Sequence, residues 1–275
     1  MAAQLSSARL GKRVLSAFVL IPIALAAVWF GEPDTPYLFL VVTAVGGVLA
    51  WEWARLCGRG HLGFAGLLLI VIVLVAITVA AFMRDMTSIW TLIVGAALVT
   101  ALGKFEHDGK PYWLGLGSLY VGLPCLAVLW LRKQPDSGLA TLLWLFAMVW
   151  ATDTGAFIAG RLIGGPKLAR TISPNKTWAG LGGGIVAAAL VGLATCWLLP
   201  RNGSWLVAIS GFLALVEQAG DLFESAAKRQ AGVKDSSNLI PGHGGALDRL
   251  DGLLAVSAAV AFLSVLIGRP IVIGL

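Results

Sequence analysis

Charge is what this sequence has least of. Only 12% of its 275 residues are Asp, Glu, Lys or Arg, where a soluble domain carries roughly 25%. So little charge cannot cover a water-facing surface. With 58% hydrophobic residues, the chain falls in the membrane class before any motif is considered. No polar stretch is long enough for a separate soluble domain, so a single membrane-embedded domain over 1–275 is expected. Cysteine is scarce as well. Cys57, Cys125 and Cys196 stand far apart with no CxxC spacing, which argues against a disulfide framework or a zinc site and leaves them as small packing residues. His61 and His107 lack acidic or cysteine partners at metal spacing and read as loop residues.

What the chain has instead is long apolar runs. A span needs about 20 such residues, and nine stretches come close: about 14–31, 37–54, 62–82, 88–103, 112–131, 139–162, 178–199, 204–224 and 252–272. Lipid leaves strand edges unsatisfied, so the expected fold is all-α, polytopic, with about nine transmembrane helices. The fourth run is short. The first follows Arg9, Lys12 and Arg13, and Ala24-Leu25-Ala26 imitates a cleavage site. That site lies inside the run rather than beyond it, so the run is read as a helix and not as a signal peptide.

With the N-terminus in the cytoplasm, 15 of the 20 Lys and Arg fall in inner segments and 5 in outer ones. This is the positive-inside pattern. It also accounts for the net charge of +6 through anionic lipid headgroups rather than nucleic acid. Two inner segments are longer and more polar, 161–177 and 228–251. Gly155, Gly160, Gly164 and the Gly180/Gly184 pair have GxxxG-like spacing, best read as close helix packing.

The chemistry concentrates at the end of the sequence. Glu217, Asp221, Glu224 and Lys228 are spaced 4, 3 and 4 apart, one polar stripe on a helix. Carboxylates there are expensive in a bilayer unless they face a bundle interior or a wet cavity. A plainer account makes Glu224–Lys228 an i,i+4 pair at a solvated helix end. Next, Pro241, Gly242, His243, Gly244 and Gly245 form a tight turn whose N–H groups can cradle anionic oxygens. Asp248 and Asp251 follow on one helix face, where the helix dipole alone favours acids. Carboxylates beside Lys and Arg suit a magnesium–triphosphate complex: hard oxygen ligands for the ion, basic groups for the phosphates.

The run Ser225-Ala226-Ala227-Lys228-Arg229, Lys234-Asp235, Ile240-Pro241-Gly242-His243-Gly244-Gly245 and Asp248-Arg249-Leu250-Asp251 resembles the C-terminal signature of the phosphatidate cytidylyltransferases. Asp153-Thr154-Gly155-Ala156, Gly160-Arg161 and Ser173-Pro174-Asn175-Lys176-Thr177-Trp178 agree, and Ala50-Trp51-Glu52-Trp53 is similar more weakly. The resemblance is dense over 150–252. It implies attack of phosphatidate on the α-phosphorus of CTP, giving CDP-diacylglycerol and pyrophosphate. A Mg2+ requirement, with room for a second metal ion, a homodimer and a cell inner-membrane location are implied with it.

By position, Asp221 and Asp248 are then the metal-binding aspartates. Lys228, Arg229, Lys234, His243 and Arg249 handle phosphate charge. Ser173, Lys176 and Thr177 help to bind phosphate, with Asp153 nearby. His243 binds phosphate, donates a proton or satisfies the glycine turn. Residues 1–150 become the scaffold and dimer half, and 151–275 the catalytic half. Two positions depart from the pattern: Phe157 replaces a Tyr and Ala179 a Glu.

The sequence admits two rival readings. An ion-coupled transporter would use Asp153, Glu217 and Asp221 as an intramembrane path, but the polar groups gather at one face. A CDP-alcohol phosphotransferase would need an aspartate pattern that does not follow Asp251-Gly252.

Overall fold

The computed structural model describes residues 18, 21–31, 35–83, 86–106, 110–199, 203–240 and 244–273. Among these are the helices α1 (Ile21–Phe30), α2 (Tyr37–Cys57), α3 (Phe64–Phe82), α4 (Thr87–Glu106), α5 (Pro111–Arg132) and α6 (Gly138–Leu162). A hairpin of β1 (Lys167–Ala169) and β2 (Ser173–Thr177) follows, then α7 (Trp178–Leu198), α8 (Trp205–Gln230) and α9 (Leu247–Ile267). Helices α2 to α9 are long and apolar enough to cross a membrane. The all-α, polytopic expectation holds, with one small hairpin added. The first apolar run is described only in part, as α1.

Helix ends depart by a few residues from the edges of the apolar runs. The fourth run, short in sequence, becomes the 20-residue α4. Its last residue, Glu106, accepts hydrogen bonds from Ala65 N at 3.0 and 3.2 Å and so caps α3. The last span starts at Leu247 rather than 252, which brings Asp248 and Asp251 into its first turns. α3 leaves Leu67, Val71 and Val75 exposed at four-residue spacing, an apolar stripe of the kind that a lipid-facing helix carries.

The chain divides into two compact units. Met1–Leu129 and Gln230–Leu250 form the first; Trp130–Arg229 and Asp251–Leu275 form the second. In the first unit α2 is anchored by Trp53, which is fully buried. Its indole Nε1 donates to the Trp113 carbonyl at 2.8 Å, and its ring lies 4.8 Å from that of Tyr120. In the second unit α6 and α7 approach backbone to backbone. A Cβ at Gly155 would stand 2.6 Å from the Ala187 Cβ and 2.7 Å from the Gly183 carbonyl oxygen. The small-residue packing expected of Gly155, Gly180 and Gly184 is thus realised, whereas Gly164 lies past the end of α6 with φ +67°. Trp144 Nε1 donates to Ser210 Oγ at 3.1 Å and ties α6 to α8.

Candidate active site

Each unit builds its own group of carboxylates. In the first unit Glu52, near the end of α2, is fully buried. Its Oε1 accepts from Ser237 Oγ at 2.6 Å and Ala246 N at 2.9 Å. Its Oε2 accepts from Leu247 N at 2.7 Å and Ser236 Oγ at 3.2 Å. Two of these donors are N–H groups at the start of α9, which no helical carbonyl can satisfy. A negative charge there is favoured by the helix dipole.

Asp248 closes the same segment from the other side. Its Oδ2 accepts from Ser236 N at 2.9 Å, Ser236 Oγ at 3.0 Å and Gly245 N at 2.8 Å. The glycine turn does present N–H groups to anionic oxygens, as its composition suggested. Those of Gly245, Ala246 and Leu247 bond carboxylates of the chain itself. Gly245 has to be glycine, because a Cβ would stand 2.6 and 2.8 Å from the two Glu52 oxygens. Lys234 and Arg249 are exposed, and His243 lies outside the described residues.

In the second unit the stripe on α8 is as periodicity predicts, but its burial is not. Glu217 and Glu224 are 1% and 0% exposed, so Glu224–Lys228, paired at 2.5 Å, is not a solvated helix end. Asp221 pairs with Lys176 of β2, Oδ2 to Nζ, at 2.5 Å, and its Oδ1 accepts from Ser225 Oγ at 3.2 Å. Asp153 and Asp251 are charged neighbours of Glu217. Asp251, to which the sequence assigns no role beyond favouring the helix dipole, has Asp221 and Lys228 as neighbours.

The hairpin carries the remaining candidates. Lys167 pairs with Thr177 and Ala169 with Ser173 across it. Thr177 is buried, and its Oγ1 accepts from Gly180 N at 3.0 Å as the cap of α7. Arg229 Nε donates to the Ile172 carbonyl at 3.3 Å, tying the turn of the hairpin to the end of α8. Phe157, the departure from tyrosine, is exposed, with the Arg161 guanidinium 5.9 Å from its ring centre.

Of the residues singled out in the sequence, the structure brings Asp153, Lys176, Asp221 and Lys228 into one group. Asp248 belongs to the other unit. Glu52 is the residue that sequence reasoning passed over. A carboxylate inside an apolar run was the available signal.

No group of three His, Cys, Asp or Glu able to hold a metal by itself occurs among the described residues. The donors of the second unit are nonetheless hard carboxylate oxygens, one of which, Glu217 Oε2, is buried with no hydrogen-bond partner among the described residues. Such a set fits Mg2+, which is usually held by one or two carboxylates while substrate phosphates and waters complete its shell.

Comparison with known proteins decides the class. The profile of the Cytidylyltransferase family matches residues 11–267. The chain belongs to that family. A phosphatidate cytidylyltransferase of Brucella suis biovar 1 (strain 1330) is 36% identical over 264 residues, covering 94% of each chain. One from Pseudomonas aeruginosa is 36% identical over 271 residues, covering 92% of this chain and 96% of the relative. One from Bacillus subtilis (strain 168) is 34% identical over 239 residues, covering 82% and 87%. The motif resemblance over 150–252 therefore extends along nearly the whole chain. Membership makes this protein a nucleotidyltransferase built on membrane-spanning helices, and the transporter and phosphotransferase readings fall away.

Proposed function

We propose that the protein transfers the cytidylyl group of CTP to phosphatidate. A phosphatidate oxygen bonds to the α-phosphorus of CTP, the bond from that phosphorus to the β-phosphate bridge breaks, and pyrophosphate leaves. The nucleophile is already ionised near neutral pH, so the chain need not supply a strong base. What it must do is hold two anions together and in line.

The observation that carries this reading is the mixed charge of the second unit. Lys176 and Lys228 each sit on a carboxylate, Asp221 and Glu224. When the phosphates arrive, the lysines exchange a carboxylate for a phosphate oxygen, with Arg229 adding charge in the same unit; Lys234 and Arg249 are the phosphate-binding candidates of the first unit. Ser173 donates from the hairpin, and Thr177 acts through the start of α7. His243 is assigned to binding phosphate, donating a proton or satisfying the turn. Asp221 and Asp248, each within its own unit, would be the Mg2+-binding aspartates, for one or two ions, with Asp153 in the unit of Asp221. Bound there, the metal supplies charge screening between nucleotide and lipid.

Fifteen of 20 basic residues in the inner segments support a cytoplasmic site in the cell inner membrane. The same reading includes a homodimer and no nucleic-acid partner. The test is pyrophosphate release by purified protein with phosphatidate, Mg2+ and each nucleoside triphosphate in turn. CTP should support release, UTP, ATP and GTP should not, and EDTA should stop it. Equal release with every nucleotide, or none with CTP, contradicts the reading.

A further inference from the structure

Glu52 lies far in sequence from every group the reaction uses, yet among the described residues its side-chain hydrogen bonds all end on one short segment. Ser236 and Ser237 precede the glycine turn; Ala246 and Leu247 follow it. We propose that Glu52 is a positioning residue for the transfer reaction: it clamps both ends of this segment and thereby fixes Asp248. The proposal rests on the functional reading above.

Three observations carry it. A helix cap needs only the N–H groups of Ala246 and Leu247. The two serine bonds go further and fix the approach to the turn as well. Secondly, Ser236 is shared. Its hydroxyl lies 3.2 Å from Glu52 Oε2 and 3.0 Å from Asp248 Oδ2, and with one proton it can donate to only one of them at a time. The two carboxylates are therefore linked through a single side chain. Thirdly, the clamp has a rigid base, because neighbouring Trp53 is fully buried and bonded to the Trp113 carbonyl. Gly245 is shaped to admit the carboxylate, since any Cβ there would collide with it.

Glu52→Gln keeps the shape of the side chain but sets an amide NH2 against a backbone N–H, of Ala246 or of Leu247, that it cannot accept from. Two measurements on the full-length protein in detergent test the proposal: amide exchange of peptides covering 236–250, and kcat with KM for CTP. Exchange in 236–250 should rise about tenfold while α3, α6 and α7 keep wild-type rates. Misplacement by about 1 Å can cost about a hundredfold in rate, so kcat should fall about 10- to 100-fold with a smaller change in KM. Adding Ser237→Ala to Glu52→Gln should lower kcat no further, as expected of residues acting as one unit.

Unchanged exchange with kcat within twofold overturns the proposal, as do losses that multiply in the double variant. A purely stabilising role would lower the yield of folded protein but leave kcat per folded molecule unchanged, which also overturns it. If Glu52→Gln does not fold, Ser237→Ala alone should give a smaller rise in exchange and about a threefold loss of kcat by the same logic; no change in either overturns the proposal. Absence of wild-type turnover with CTP and phosphatidate would overturn the functional reading, and with it the catalytic part of Glu52. Failure of the exchange arm alone would overturn the clamp and leave that reading standing.

Discussion

Two pairs of carboxylates, one pair in each unit, are neutralised in opposite ways. In the first, Glu52 and Asp248 are satisfied by backbone N–H groups and serine hydroxyls, neutral donors fixed by the fold. In the second, Asp221 and Glu224 are satisfied by lysine ammonium groups on long side chains. A backbone donor cannot leave without moving the chain. A lysine can swing from carboxylate to phosphate while the helix stays in place. One arrangement is suited to holding a segment still, the other to exchanging partners when charged substrates and ions arrive.

The sharpest way to break this comparison is to neutralise one aspartate from each unit. Asp221→Asn and Asp248→Asn should each lower turnover by at least about a hundredfold, the scale lost when a group that stabilises transferring charge is removed. Their stabilities should diverge. Asp221 is partly exposed, so losing its pair should cost at most about 1 kcal/mol. Asp248 holds three donors on one oxygen, and weakening them should cost about 1–3 kcal/mol. Thermal unfolding in detergent, read beside pyrophosphate release, separates the two; equal destabilisation would remove the distinction.

Gly245→Ala tests the fixed side directly. Forcing a methyl group against the Glu52 carboxylate should destabilise the protein by about 1–3 kcal/mol, measured by the same unfolding experiment. Lys176→Met tests the exchanging side. It frees Asp221 from its cation, so half-maximal activity should need less Mg2+, while KM for CTP should rise about fivefold with the loss of one charged contact. A Mg2+ titration of turnover checks both directions. The smallest effect is expected at Thr177→Ala, where losing the cap of α7 should cost about 1 kcal/mol, visible as a modest fall in unfolding midpoint.

Much of this was legible in the sequence, for physical reasons that vary by residue. The spans follow from apolar runs alone, and the stripe Glu217, Asp221, Glu224 and Lys228 follows from helical spacing. The N–H groups of the glycine turn could be expected to meet anions. That the anions include Glu52 could not, because its partners lie 184 to 195 residues away and nothing local in Ala50-Trp51-Glu52-Trp53 signals them. The hairpin over Lys167–Thr177 was also hidden. It is held by the bond from Trp178 N to the Pro166 carbonyl and by Arg229 reaching Ile172, neither of which is visible in a strand-like alternation.

The most direct test of the whole account is the lipid product itself. Purified protein given CTP, phosphatidate and Mg2+ should form CDP-diacylglycerol and pyrophosphate in equal amounts. Product should vanish when either substrate is omitted or when EDTA is added. Pyrophosphate released from CTP with no cytidylylated lipid formed, or lipid product made at the same rate in EDTA, would contradict it.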